Sequence, residues 1–220
     1  MRIQGHLMQE FEEASPLSSS PYVIDLAMVM EAEAAAARSE WSQIILLLGA
    51  WPVPLIHYWR TPEGKALAPQ SRLWIARGLE LLGLAHAVLG EWIEAGDILR
   101  LATKYVHQGP AAASIFATLG RIQFNSGREG EAIGYFRRAL ALGFEAQQIL
   151  PLLAQSFFLR KCYVAAIACL EQAVQVGVPR DSLNSLFARV EKRLGAPLRE
   201  WRKGVQRSVP PPPPLPMNKK

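Results

Sequence analysis

The chain has 220 residues, half of them apolar and a fifth charged, which is enough to bury one or two cores and excludes a chain disordered throughout. Its longest apolar run, IILLLGAWPVPLI at 44–56, holds two prolines and stops short of the roughly 20 residues a membrane helix needs, so no span is expected. The formal charge of +5 is unevenly divided: residues 1–40 carry 2 basic and 7 acidic groups, residues 181–220 carry 9 and 3, and the basic end suits a solvated helix face, an acidic partner or nucleic acid without choosing among them.

Residues 1–20, MRIQGHLMQEFEEASPLSSS, lack the apolar core of an export signal and place Glu10, Glu12 and Glu13 where one would be hydrophobic. They read as the flexible N-terminus of a cytoplasmic chain. Residues 21–70 follow as a helix pair about Trp41 and then a connection, WPVPLIHYWRTPEGKALAPQ, rich in proline and aromatic residues. That connection is too apolar for a free linker. It is expected to pack irregularly against the helices after it, with Trp51 and Trp59 partly buried, or else to form part of a binding surface.

Helical periodicity fills 71–203, with no sustained alternation of apolar and polar residues, so an all-α fold is the economical reading. GREGEAIGYFRRALALG at 127–143 is answered by KCYVAAIACLEQAVQVG at 161–177: Ala132, Ile133, Ala139 and Gly143 recur 34 residues on as Ala166, Ile167, Ala173 and Gly177. Stepping back 37 from the same stretch places Leu82-Gly83, Gly90, Ala95, Leu99 and Ala102 in the slots of Leu119-Gly120, Gly127, Ala132, Phe136 and Ala139. Helices joined by turns as short as NSGRE lie antiparallel, and small residues at their crossing let the backbones approach without overpacking. Asp181 or Ser182 is a plausible N-cap for one more helix, and APLREWRKGVQR adds a turn or short helix after it. Residues 204–220 end in five consecutive prolines and read as a disordered tail in which Arg207, Pro210 and Pro213 match one orientation of polyproline ligand.

A period near 34 with Leu-Gly, then Gly, then Ala, then an aromatic, then Ala resembles the tetratricopeptide repeat (TPR) family. The likeness is fullest in 113–146 and extends over 76–112 and 147–180. It implies an all-α fold of antiparallel helix-turn-helix repeats stacked into a right-handed TPR superhelix, a solenoid, over 71–203, with a capping helix at 181–203. Two departures stand out: Phe144 and Val178 fill the slot of the family's C-terminal proline, and Pro151 falls inside a first helix, where it is tolerated in the first turn if that helix begins near Gln147. The pair before Trp51 is a degenerate repeat at best, since Ala32 suits the slot of Gly83 while Glu31 and Ile44 do not suit theirs.

The resemblance also implies a concave groove, lined by first helices, that holds a peptide or helix of another protein. Carried over position by position, the lining is Arg77, Leu81, Leu84 and Val88; Thr118, Arg121, Phe124 and Asn125; Leu152, Gln155, Phe158 and Leu159; and Leu186, Arg189 and Arg193. Arg121, Gln155 and Arg189 lie 34 apart and are expected to form a polar ladder, suited to a partner with apolar anchors and acidic residues. The Lys/Asn carboxylate clamp of the chaperone-binding TPR subclass is not matched, because Glu80 and Leu84 stand in its slots.

No enzyme is expected: the four histidines are scattered, and no HExxH, nucleophile elbow, P-loop or Gly-rich turn occurs. His86 reads as a satisfied core histidine. Cys162 and Cys169, about 10 Å apart if both lie on one helix, read as free thiols filling a core, and neither metal nor cofactor is expected. Three functions remain open: an adaptor or scaffold whose tail offers a second site to a polyproline-reading domain, a chaperone resembling those of bacterial secretion systems, and a basic nucleic-acid-binding repeat protein.

Overall fold

The computed structural model describes residues 26–195, which contain eleven helices and no strand. The N-terminus 1–20 and the tail with Arg207, Pro210 and Pro213 lie outside the described residues. The chain divides into two compact units, one ending at Glu145 and the other beginning at Ala146.

The first unit holds three helical hairpins: α1 (Leu26–Ala37) with α2 (Trp41–Leu48), α5 (Pro69–Val88) with α6 (Trp92–Tyr105), and α7 (Gly109–Asn125) with α8 (Glu129–Ala141). Between α2 and α5 lie two short helices, α3 (Pro52–Tyr58) and α4 (Pro62–Lys65). The second unit holds the hairpin of α9 (Ala146–Leu159) and α10 (Tyr163–Gln175), followed by α11 (Arg180–Leu194).

Every hairpin turns in the same way. Ser39, Gly90, Gly127 and Lys161 each adopt a left-handed φ between 60° and 86°. The next residue then donates its N–H to the carbonyl five positions back: Glu40 to Ala35, Glu91 to His86, Arg128 to Gln123 and Cys162 to Phe157, at 2.8–2.9 Å. This six-to-one bond closes the first helix, and the residue donating it opens the second. The pair before Trp51, degenerate by sequence, therefore shares the turn geometry of the others.

Small residues sit where the helices of a pair cross. A Cβ on Gly120 would lie 2.4 Å from Cδ1 of Phe136, and one on Gly83 would lie 2.7 Å from Cγ of Leu99. Gly83 and Leu99 thus meet as Gly120 and Phe136 do, one repeat later. Ala132 and Ala139 are fully buried, as are Ala154, Ala166, Leu170 and Ala173 in the second unit. Undersized residues admit one large neighbour per crossing, and close packing holds both in place.

Two expectations are corrected. Residues 51–70 are not irregular: Pro52, Pro62 and Pro69 each begin a helix, where the missing N–H costs nothing and the fixed φ suits the first turn. Trp51 is buried against Gly78 of α5, Trp59 packs edge-on to Tyr105 at 5.3 Å, and the buried Tyr105 hydroxyl donates to the Leu55 carbonyl at 2.7 Å. Burial, reinforced by the neighbouring Tyr58, pushes the Tyr105 hydroxyl well above its usual pKa. The second correction concerns Pro151, which is the sixth residue of α9 and so lies in its second turn, not its first. It withholds one helical hydrogen bond from the Gln147 carbonyl, and α9 continues through it.

Candidate partner-binding face

Each first helix exposes one stripe of residues spaced three or four apart, the side that its second helix leaves uncovered. On α5 the stripe is Leu73, Arg77, Leu84 and Val88, with Glu80 buried between them; on α7 it is Ser114, Thr118, Arg121 and Asn125. Leu73 is 39% exposed and Val88 55%, while Arg121 and Asn125 are exposed and Leu84 and Thr118 half-buried. Leu73 and Val88, toward opposite ends of α5, are the apolar side chains of this stripe that folding leaves exposed.

Leu81 is the exception among the expected lining residues. At 2% exposure it belongs to the core, as does its neighbour Glu80 at 4%. Phe124 is half-buried beside exposed Asn125.

A polar chain joins the three first helices of the first unit. Arg77 donates from Nε to Glu33 of α1 at 2.8 Å and from Nη1 to Glu80 at 2.9 Å, and the Ser114 hydroxyl of α7 donates to the other oxygen of Glu80 at 2.5 Å. Glu80 is buried, whereas the side chains of Arg77 and Glu33 are about two-fifths exposed. Burial weakens the charged form of Arg77, but the hydrogen bonds to Glu33 and Glu80 more than offset it, and its pKa is raised. A buried carboxylate is stable only with its oxygens partnered, and here both are.

In the second unit, Leu152, Gln155 and Phe158 of α9 and Leu186 of α11 are half-buried, and Leu159, Arg189 and Arg193 are exposed. The Arg189 guanidinium lies 4.5 Å from the centroid of the Phe158 ring, which also meets Tyr163 at 5.7 Å. Two expected site residues are thus brought together, through a cation over an aromatic face. Arg121 belongs to the other unit.

Glu33 and Ser114 were not singled out from the sequence. Arg77 and Glu80 carry a visible signal, opposite charges three apart on a predicted helix. Glu33 lies 44 residues from Arg77 and Ser114 lies 34 from Glu80, and nothing local links them. His86, read as a core histidine, is half-buried and paired with Glu91 across the hairpin turn. Cys162 and Cys169 are free thiols, one exposed at the start of α10 and one half-buried. Among the described residues, no group of three or more His, Cys, Asp or Glu side chains is placed to hold a metal, and no helix is long and apolar enough to cross a membrane.

No protein-family model and no curated relative matches the sequence. Among solved structures, that of Pseudomonas aeruginosa pilF aligns with TM-score 0.50 at 18% identity, covering 84% of this chain and 92% of that one. The structure of MamA protein aligns with TM-score 0.49 at 14% identity, covering 86% and 98%. The likeness to pilF is one of fold: an all-α chain of TPR-like helix-turn-helix repeats.

Proposed function

We propose that the chain is a non-catalytic protein-protein interaction module, a cytoplasmic TPR adaptor or scaffold that holds a peptide or helix of another protein against its first helices. The observation that carries this reading is the stripe on α5 and α7, where Leu73 and Val88 stay exposed next to half-buried Leu84 and Thr118 and exposed Arg121. The partner segment has apolar anchors and an acidic portion: on the first unit the anchors suit Leu84 and Val88 and the acids Arg121, and the second unit by itself offers Leu152 beside Arg189 and Arg193 for the same kinds of side chain. The Pro-rich tail, through Arg207, Pro210 and Pro213, offers a second attachment to a polyproline-reading domain.

The test is co-purification of partners with the intact chain and with an Arg121→Glu, Arg189→Glu variant. Loss of the captured protein from the variant supports the reading, and equal capture removes both arginines from it. Deleting 208–220 tests the tail separately: if every partner is retained, the tail is passive.

The exposed apolar residues about the α5–α6 turn favour a second reading, a chaperone holding an apolar client. Val88, Leu89 and Ile93 are 55%, 49% and 66% exposed there. A chaperone would keep a client soluble in proportion to its own concentration, whereas an adaptor would not.

A further inference from the structure

The polar chain on the first unit carries more negative than positive charge. Glu33 and Glu80 share one guanidinium, and Arg77 is the one cation on either carboxylate among the described residues. Glu80 is closed to a ligand, with one oxygen held by Arg77 and the other by Ser114. Glu33 is open: its side chain is 41% exposed and its bond to Arg77 uses Oε1. Each of the two paired residues has an exposed apolar side chain one turn before it. Met30, one turn earlier on α1, is 52% exposed, and Leu73 on the α5 stripe, one turn before Arg77, is 39% exposed.

Resting on the reading of this face as a partner-binding surface, we infer that its α1–α5 end selects a partner segment carrying a lysine or arginine between apolar side chains, with the cation seated on the open edge of Glu33. The charge balance decides the sign. An acidic side chain at this place meets surplus carboxylate, and Arg77 has no free charge to offer it, since two carboxylates already divide its guanidinium. A basic side chain completes a two-to-two arrangement, and its apolar neighbours cover Met30 and Leu73. The arginines that suit acidic groups lie elsewhere, so a bound segment has its base over α1 and α5 and its acids away from them.

The test is selection of a random phage-displayed dodecapeptide library on the full chain and on its Glu33→Gln variant. Enriched peptides are expected to hold a lysine or arginine with Leu, Ile, Val, Phe or Met three or four residues away. A synthetic peptide of that sequence should bind the Glu33→Gln variant about three- to five-fold more weakly at low salt, the range of a partly exposed ion pair. Replacing the peptide's basic residue with glutamine should cost the same factor against the parent chain and nothing further against the variant, as a direct pair requires. Enriched peptides with acidic charge or none overturn the inference and leave the binding surface standing. Failure to enrich any peptide overturns the surface reading itself. Self-association of the chain that Glu33→Gln abolishes overturns the inference in a third way, by making a second copy the occupant.

Discussion

Two glycines in neighbouring helices show how differently one substitution acts. A methyl group on Gly120 would press on the Phe136 ring at 2.4 Å, so Gly120→Ala should destabilise the chain by about 1–3 kcal/mol in urea unfolding. Gly134, within α8, has nothing within 4 Å of its would-be Cβ, so Gly134→Ala should stabilise by about 0.8–1 kcal/mol, the difference in helix propensity. Lys161 gives a third case. It holds φ at 62° where Gly90 and Gly127 stand in the other repeats, and Lys161→Gly should raise stability by about 0.5–1 kcal/mol, since glycine accepts the left-handed region without strain. Of these, the demand for a small residue at Gly120 was legible in the 34-residue recurrence. The strain at Lys161 was not, because a lysine in a turn announces no dihedral angle. Nor was the burial of Leu81, which stands at helical spacing from half-buried Arg77 and Leu84 yet is covered.

At the scale of helices, the segment between α2 and α5 departs most from its sequence reading. Its prolines looked like interruptions, yet Pro52, Pro62 and Pro69 all start helices, and what fixes α3 in place is remote: a hydrogen bond from Tyr105, 50 residues on, to Leu55. No local pattern contains that contact. Tyr105→Phe should cost about 1 kcal/mol, leaving the Leu55 carbonyl only the Trp59 N–H at 3.0 Å, measurable as a lower thermal midpoint. The polar chain across α1, α5 and α7 makes a stronger case. Glu80→Ala removes one of the two carboxylates on Arg77, leaving it Glu33, and takes the acceptor from the Ser114 hydroxyl, and should destabilise by about 1–3 kcal/mol. Ser114→Ala alone, which leaves the Arg77 contact to Glu80 intact, should cost less than Glu80→Ala in the same assay.

At the scale of the whole chain, the helical class and the hairpins between Gly109 and Gln175 could be read from recurrence, since each pair restates the same packing problem. The first unit's extra hairpin could not be read with equal assurance, because Ile44 replaces a small residue at its crossing and only the backbone turn at Ser39 reveals the kinship. The candidate face was legible as a set of helix positions, but its charge logic was not, since it joins residues of three helices. If the chain acts on proteins and not on nucleic acid, it should purify free of RNA and DNA at about 0.15 M salt and show no steep loss of binding to either between low and moderate salt.

The shared turn at Ser39, Gly90, Gly127 and Lys161 has a bearing on how such a chain lengthens. A bend closed by one fixed dihedral and one bond tolerates no added residue, whereas the joints between successive hairpins already vary, from the three residues Val106–Gln108 to the two short helices before Pro69. Evolutionary growth, or a graft made at the bench, has room only at those joints, and a new loop placed there would leave every existing hairpin intact.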